Sequence, residues 1–372
     1  MKKNMLKNME WSILICTILL TAIGMIALYS ATKNTNYEEL KKQAIWLAIS
    51  IPVLIGIIVI NYETITKVSP FFYGLGIILL VLVLFTKPIN GATSWFEFGS
   101  FSFQPAEFAK IFVIIMLANS IVMIQKKGRE EISKPLKLIL SLSIVVVPVG
   151  LIVIQPDYGT AIAFIIATIL MLFVSGINKK YIIIAILSII IIVPLLYFFV
   201  LPPHAKTRID VFLNPNLDPR GSGYNVIQSK LAIGAGQMFG MGINKGNQTQ
   251  LGFLYPKTTD FIFSVIGEEM GFAVAGLVIV LYVVLITKAI HIAKTAKDDL
   301  GSYIAIGIGG IFLFHMLENI GMTMGLLPIT GVPLPFVSYG GSSLMTNMIL
   351  IGLLLNISMR RNKSAFKQGA TY

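Results

Sequence analysis

The chain has 372 residues, 56% of them hydrophobic and only 12% charged, with a formal net charge of +12. Soluble domains carry about twice that share of charge, so a soluble globular protein is excluded and a polytopic membrane protein is expected. No block of five or six like charges is present, which argues against a nucleic-acid partner and for Lys and Arg gathered in cytoplasmic loops.

The apolar segments run 12–30, 43–61, 68–86, 106–124, 138–154, 160–176, 181–201, 261–287, 302–320 and 341–358. A helix needs about 20 residues to cross the hydrocarbon core. Ten transmembrane helices in one all-α membrane domain over 1–372 are therefore expected. The single cysteine, Cys16, lies in the first segment, which excludes a disulfide framework and a thiolate metal site. That segment is too long for a signal peptide and lacks a small-residue cleavage site, so it is expected to be retained. The fifth and sixth segments are separated only by Gln155-Pro156-Asp157-Tyr158-Gly159, a tight corner.

With the N-terminus inside, the inner segments hold most of the 29 Lys and Arg residues, and the short outer loops hold only Lys33, Lys41, Lys42 and Lys87. The expectation is a multi-pass protein of the cell membrane with both termini cytoplasmic. The loops 87–105 and 321–340 and one large extracytoplasmic loop, 202–259, then face outward.

These outer segments carry the unusual chemistry. Trp95 lies among Gly, Ser and aromatics, where it is either an interfacial belt residue or a platform for a sugar or lipid chain. Glu107 and Lys110 are three apart at the start of the fourth segment and can pair across one helix face. Structural pairing and substrate contact are both open to them, since an ion pair inside a span is rarely decorative. In the large loop, Arg208, Gln228 and Lys230 are candidate substrate contacts, the two cations suiting an anionic headgroup. Val226, Ile227, Leu231 and Ile233 can lie on the membrane surface, with Gln228, Ser229 and Lys230 toward water. His315, Glu318 and Asn319 precede a Pro-rich outer stretch. A satisfied internal hydrogen bond fits His315 and Glu318 better than a metal site. No metal-ligand set stands out.

Asp260 stands where the large loop turns into the eighth apolar segment. A carboxylate there needs a reason, because an unpaired charge in hydrocarbon costs several kcal/mol. One reading is an ordinary helix N-cap, since Thr-Thr-Asp before an apolar run is a good helix start. The other is a catalytic base. Glu268 and Glu269, about 12 Å further along a helix, read as structural or as a polar lining.

Five blocks carry a resemblance: TTDFIFSVIGEEMGF, QPDYGTA, SFSFQPAEFAK, GYNVIQSKLAIGAGQMFGMG and LPITGVPLPFVSYGGSSLM. Together, and in this order, they resemble the SEDS family of shape, elongation, division and sporulation proteins. The resemblance implies a ten-helix fold and a peptidoglycan glycosyltransferase that polymerises lipid II into glycan strands. It places the essential acid of the family's TDF motif at Asp260, the family Trp at Trp95, and the acid and base of its PSEFAK-like block at Glu107 and Lys110. The family's frequent His before the TD pair is Thr258 here, so no role carries over from it. A class B penicillin-binding protein, a transpeptidase, is the partner it implies, alongside lipid II and undecaprenyl-linked glycan.

The expected mechanism is a single displacement. Asp260 takes the proton of a sugar 4-hydroxyl as it attacks the anomeric carbon of a second sugar, with inversion. Arg208, Lys110 and Lys230 are candidates to stabilise the departing diphosphate, and Mg or Mn carried with the diphosphate is a further possibility. The alternative is a flippase for the lipid-linked precursor, which predicts charged pairs near the midplane and two related halves. No inverted repeat is visible in the sequence.

Overall fold

The computed structural model describes residues 7–88, 91–99, 101–199, 203–218 and 221–361. Each of the ten predicted apolar segments falls on a helix. In chain order these are α1 (Trp11–Ala31), α2 (Glu38–Val59), the short α3 (Tyr62–Lys67), α4 (Ser69–Leu82), α5 (Pro105–Gln125), α6 (Pro135–Ile154), α7 (Tyr158–Val174) and α8 (Lys179–Phe199). The large loop folds into α9 (Pro203–Leu213), α10 (Ser222–Ala235) and α11 (Asn247–Gln250), followed by α12 (Ile262–Thr295), α13 (Asp299–Thr323) and α14 (Gly341–Arg360). Among the described residues seven helices are long and apolar enough to cross a membrane, and the apolar stretches Ser69–Phe85 and Tyr158–Val174 are shorter. The only strands described, β1 (Phe96–Phe98) and β2 (Phe101–Phe103), form a hairpin with Phe96 opposite Phe103.

Burial sorts the helices. In α14 89% of the apolar window is covered by protein, and in α13 78%, against 17% in α2. So α13 and α14 form the centre and α2 presents its apolar side chains to lipid. Between helices in hydrocarbon the gain comes from close packing of small residues, because lipid is as apolar as leucine. Accordingly, a Cβ on Gly307 would come within 2.8 Å of Met171 Sδ, and one on Gly310 within 3.0 Å of Ala167 Cα.

The eighth apolar segment differs from expectation. The helix is broken at Gly271 (φ 76°, ψ 180°) and continues to Thr295. The half-helix Ile262–Met270 is therefore set apart from the longer stretch that begins at Phe272. Segment 237–242 satisfies the freed backbone groups. Met241 N donates to Glu268 O (2.9 Å) and Gly242 N to Glu269 O (3.0 Å), while Phe272 N donates to Gln237 O (2.8 Å) and Ala273 N to Met238 O (3.0 Å). Such breaks are tolerated at membrane depth only when their backbone is paired in this way. The crossing also needs two glycines, since a Cβ on Gly271 would sit 2.3 Å from Gly240 N and one on Gly240 2.3 Å from Glu269 O. Gly271→Val is therefore expected to lower the melting temperature of the detergent-solubilised protein by several degrees, through a φ that a β-branched residue avoids.

Helix α10 packs on α12, with Val226 and Ala232 buried. Ser229, expected toward water, is buried, pairs with Ser264 Oγ (2.6 Å) and donates to Thr323 O (2.6 Å), while Leu231 is 52% exposed.

Candidate active site

Residues 327–336 are the irregular strip that the prolines predict, and side chains from many elements satisfy its carbonyls. Arg208 Nη1 donates to Ile329 O and Thr330 O, each at 3.5 Å. Asn319 Nδ2 donates to Val332 O (2.8 Å), and the Tyr282 hydroxyl donates to Pro335 O. His315 Nδ1 donates to Pro333 O (3.0 Å), and Thr330 Oγ1 to Glu318 Oε1 (2.8 Å). The 155–159 corner closes on the same strip, with Gly159 against Val332 and Thr330.

Asp260 sits against this strip at its outer side. Its carbonyl accepts from Asn319 Nδ2 (3.0 Å), and the carbonyl of Thr259 accepts from Ser338 Oγ (2.7 Å). The N-cap of α12 is Phe261, and no side chain caps the helix. The capping reading of Asp260 is thus excluded. The half-buried carboxylate lies instead beside Gly331, with Thr259 as a hydrogen-bond partner and the Arg208 charge nearby. Burial pushes this carboxyl above the ordinary aspartate range, and Thr259 and Arg208 pull it only part of the way back.

A cavity of about 250 Å³ opens two residues along the strip, lined by Arg208, Lys230, Phe212, Val226, Leu327 and Ile329 among others. Two cations over apolar walls suit an anionic group attached to a lipid. Asp260 and this cavity lie at the end of the bundle opposite Glu10 and Arg361. At the far end of α12, Thr295 accepts from Arg361 Nη1 at 3.4 Å, and Arg361 pairs with Glu10 at 2.7 Å.

The other expected site residues divide. Glu107 and Lys110 do pair, Nζ to Oε1 at 2.8 Å, but each is only 1% exposed. Lys110 Nζ also donates to His315 Nε2 (3.2 Å), and Thr346 Oγ1 donates to Glu107 Oε2 (3.0 Å). Because a carbonyl only accepts, His315 carries its proton on Nδ1 and offers a lone pair to the lysine. Both charges are spent inside the fold, so Lys110 is not placed to meet a substrate, and the pairing role is the one the geometry supports. His315 and Glu318 are each satisfied by internal hydrogen bonds, His315 with Lys110 and Pro333 O and Glu318 with Thr330. Gln228 lies about 200° around α10 from Val226, whereas Lys230 lies about 40° from it. Gln228 is accordingly not in the cavity wall. Trp95 is half-buried before the hairpin, beside Ser94, which donates to Gln155 O (3.4 Å), and it does not line the cavity.

These features define a multi-pass membrane protein with an acid and two cations at one end of the bundle. Known proteins sharpen that class. The profile of the FtsW/RodA/SpoVE cell cycle proteins matches residues 10–363, and the chain belongs to this family. It is 38% identical over 295 residues to the peptidoglycan glycosyltransferase MrdB of Escherichia coli K12, covering 79% of this chain and 78% of that one. It is 35% identical over 356 residues to stage V sporulation protein E of Bacillus subtilis, covering 93% and 96%. Among solved structures, a chain of a peptidoglycan synthase complex that coordinates polymerization and crosslinking superposes with a TM-score of 0.81 at 28% identity, covering 95% of this chain and 99% of that one.

Proposed function

We propose that this chain is a peptidoglycan glycosyltransferase that polymerises lipid II at the outer face of the cell membrane, with Asp260 as general base. The observation that carries the assignment is that the Asp260 carboxylate is not used as a helix cap and stands next to a cavity lined by Arg208 and Lys230.

The acceptor sugar's 4-hydroxyl attacks the anomeric carbon of the donor. A C–O bond forms, the bond from that carbon to the diphosphate breaks with inversion, and the hydroxyl proton passes to Asp260. Arg208 and Lys230 stabilise the charge that gathers on the departing undecaprenyl diphosphate. Among the described residues no three His, Cys, Asp or Glu side chains converge as a protein-only metal site. Mg or Mn would therefore be held mainly by diphosphate oxygens, the usual manner of Mg at phosphates. Both termini face the cytoplasm in this arrangement. A class B penicillin-binding protein is the fitting partner, supported by the likeness to a synthase complex that joins polymerization to crosslinking.

The test is the purified protein in proteoliposomes supplied with lipid II. Glycan polymer is expected, with one undecaprenyl diphosphate released per bond formed. Transbilayer movement of lipid II without polymer would overturn the assignment in favour of a flippase. Arg208→Ala and Lys230→Ala are each expected to raise the KM for lipid II about 10-fold, and to weaken inhibition by inorganic diphosphate similarly, through loss of one charge-assisted contact.

A further inference from the structure

The half-helix Ile262–Met270 has chemistry at both ends. Asp260 precedes it, and Glu268 and Glu269 close it, exposed to only 0% and 1%. Both glutamates grip the outer segment 244–250. Glu268 Oε1 accepts from Gln248 N (2.7 Å), and its Oε2 from Thr249 N (3.0 Å) and Thr249 Oγ1 (2.7 Å). Glu269 Oε1 accepts from Gly246 N (3.2 Å) and Gln250 Nε2 (2.8 Å), and its Oε2 from Asn244 N (3.3 Å). Every contact has the carboxylate oxygen as acceptor, a pattern that an amide reproduces only by half.

The gripped segment is anchored in turn to the outer end of α1. Asn244 N donates to Ser30 Oγ (3.0 Å), and Gln250 Nε2 to Ser30 O (3.3 Å) and Oγ (2.9 Å). A continuous set of contacts thus runs from α1 through 244–250 and the two glutamates into the half-helix. At its C-terminal end the half-helix meets the rest of α12 at the break at Gly271, which segment 237–242 bridges.

We propose that Glu268 and Glu269 are positioning residues for the transfer reaction. By clamping 244–250 they set the angle of the half-helix at Gly271, and with it the direction of the Asp260 carboxylate. This rests on the reading of Asp260 as the base. The half-helix Ile262–Met270 rises about 12 Å, so a tilt of about 5° at Gly271 moves its Asp260 end by ~1 Å. A misplacement of that order costs about 100-fold in rate.

The experiment uses the full chain in proteoliposomes, with Cys16→Ser and Lys245→Cys carrying a nitroxide on the exposed side of the clamped segment. Glu268→Gln and Glu269→Gln are each expected to loosen the label and lower kcat at least about 10-fold, with the KM for lipid II unchanged. Ser30→Ala removes the Oγ that accepts from Asn244 N and Gln250 Nε2, loosening the same segment from α1 without touching the glutamates, and the same kcat-only loss is expected from it. Any variant's folding is checked by its thermal transition in detergent. A loosened label at full kcat overturns the proposal, as does a rise in KM at constant kcat, which would make 244–250 a binding segment. Asp260→Asn is measured alongside. Full rate in that variant removes the base reading, whereas full rate only in the glutamate variants removes the clamp alone.

Discussion

Asp260→Asn is expected to leave the protein folded and to cut lipid II polymerisation by about 10³-fold, within the range for loss of a general base. The change is isosteric, and the side chain caps no helix, so little stability is at stake. Asn keeps the polar shape beside Thr259 and Arg208 but cannot accept the proton of the sugar hydroxyl. KM is expected to change little, because the cavity cations remain. Glycan chain yield from purified protein at matched thermal stability is the check. The same group sets a pH dependence. A base must be ionised, and burial raises this carboxyl above the ordinary aspartate value. Activity is thus lost as pH falls through that raised value, and the acid limb of kcat/KM lies at higher pH than an exposed aspartate would give. Removing the positive charge in Arg208→Ala takes away a contribution that lowers it, so the limb moves to still higher pH.

Lys110→Met is the second large effect, and it falls on stability. Glu107 would keep its bond from Thr346 but lose its cation in a site closed to water. Leaving one member of a buried pair uncompensated costs about 3–5 kcal/mol. The loss spreads, because Lys110 also holds the His315 ring that donates to Pro333 O. Replacing both members, Glu107→Gln with Lys110→Met, removes the stranded charge and is expected to recover most of the melting temperature. If the double variant is no more stable than Lys110→Met alone, the pair is not the source of the loss.

Much of the architecture was legible because hydropathy in a membrane protein is close to a direct readout of helices. All ten apolar segments fall on helices. Asp260 stood out because charge at a loop-to-span boundary is costly and therefore informative, and Arg208 and Lys230 because cations in the large loop suit an anionic headgroup. The break at Gly271 was hidden, since the apolar window runs through it unchanged and the strap that satisfies it lies some thirty residues earlier in the chain. Gln228, a candidate substrate contact in the large loop, is turned away from the cavity by helix rotation. The Lys110–His315 contact joins residues far apart in sequence. Only one signal pointed to it: a lysine inside a span needs more than one acceptor for its three donors. The Thr258 carbonyl accepts from Tyr339 N (2.8 Å), and its side chain hydrogen-bonds Glu39.

The most direct measurement is a structure of the protein with a lipid II analogue bound at its outer end. The account predicts the acceptor 4-hydroxyl within about 3 Å of an Asp260 carboxylate oxygen, and the donor diphosphate in the cavity between Arg208 and Lys230. An acceptor hydroxyl held out of reach of Asp260, or a headgroup bound at the end that carries Glu10 and Arg361, would contradict it.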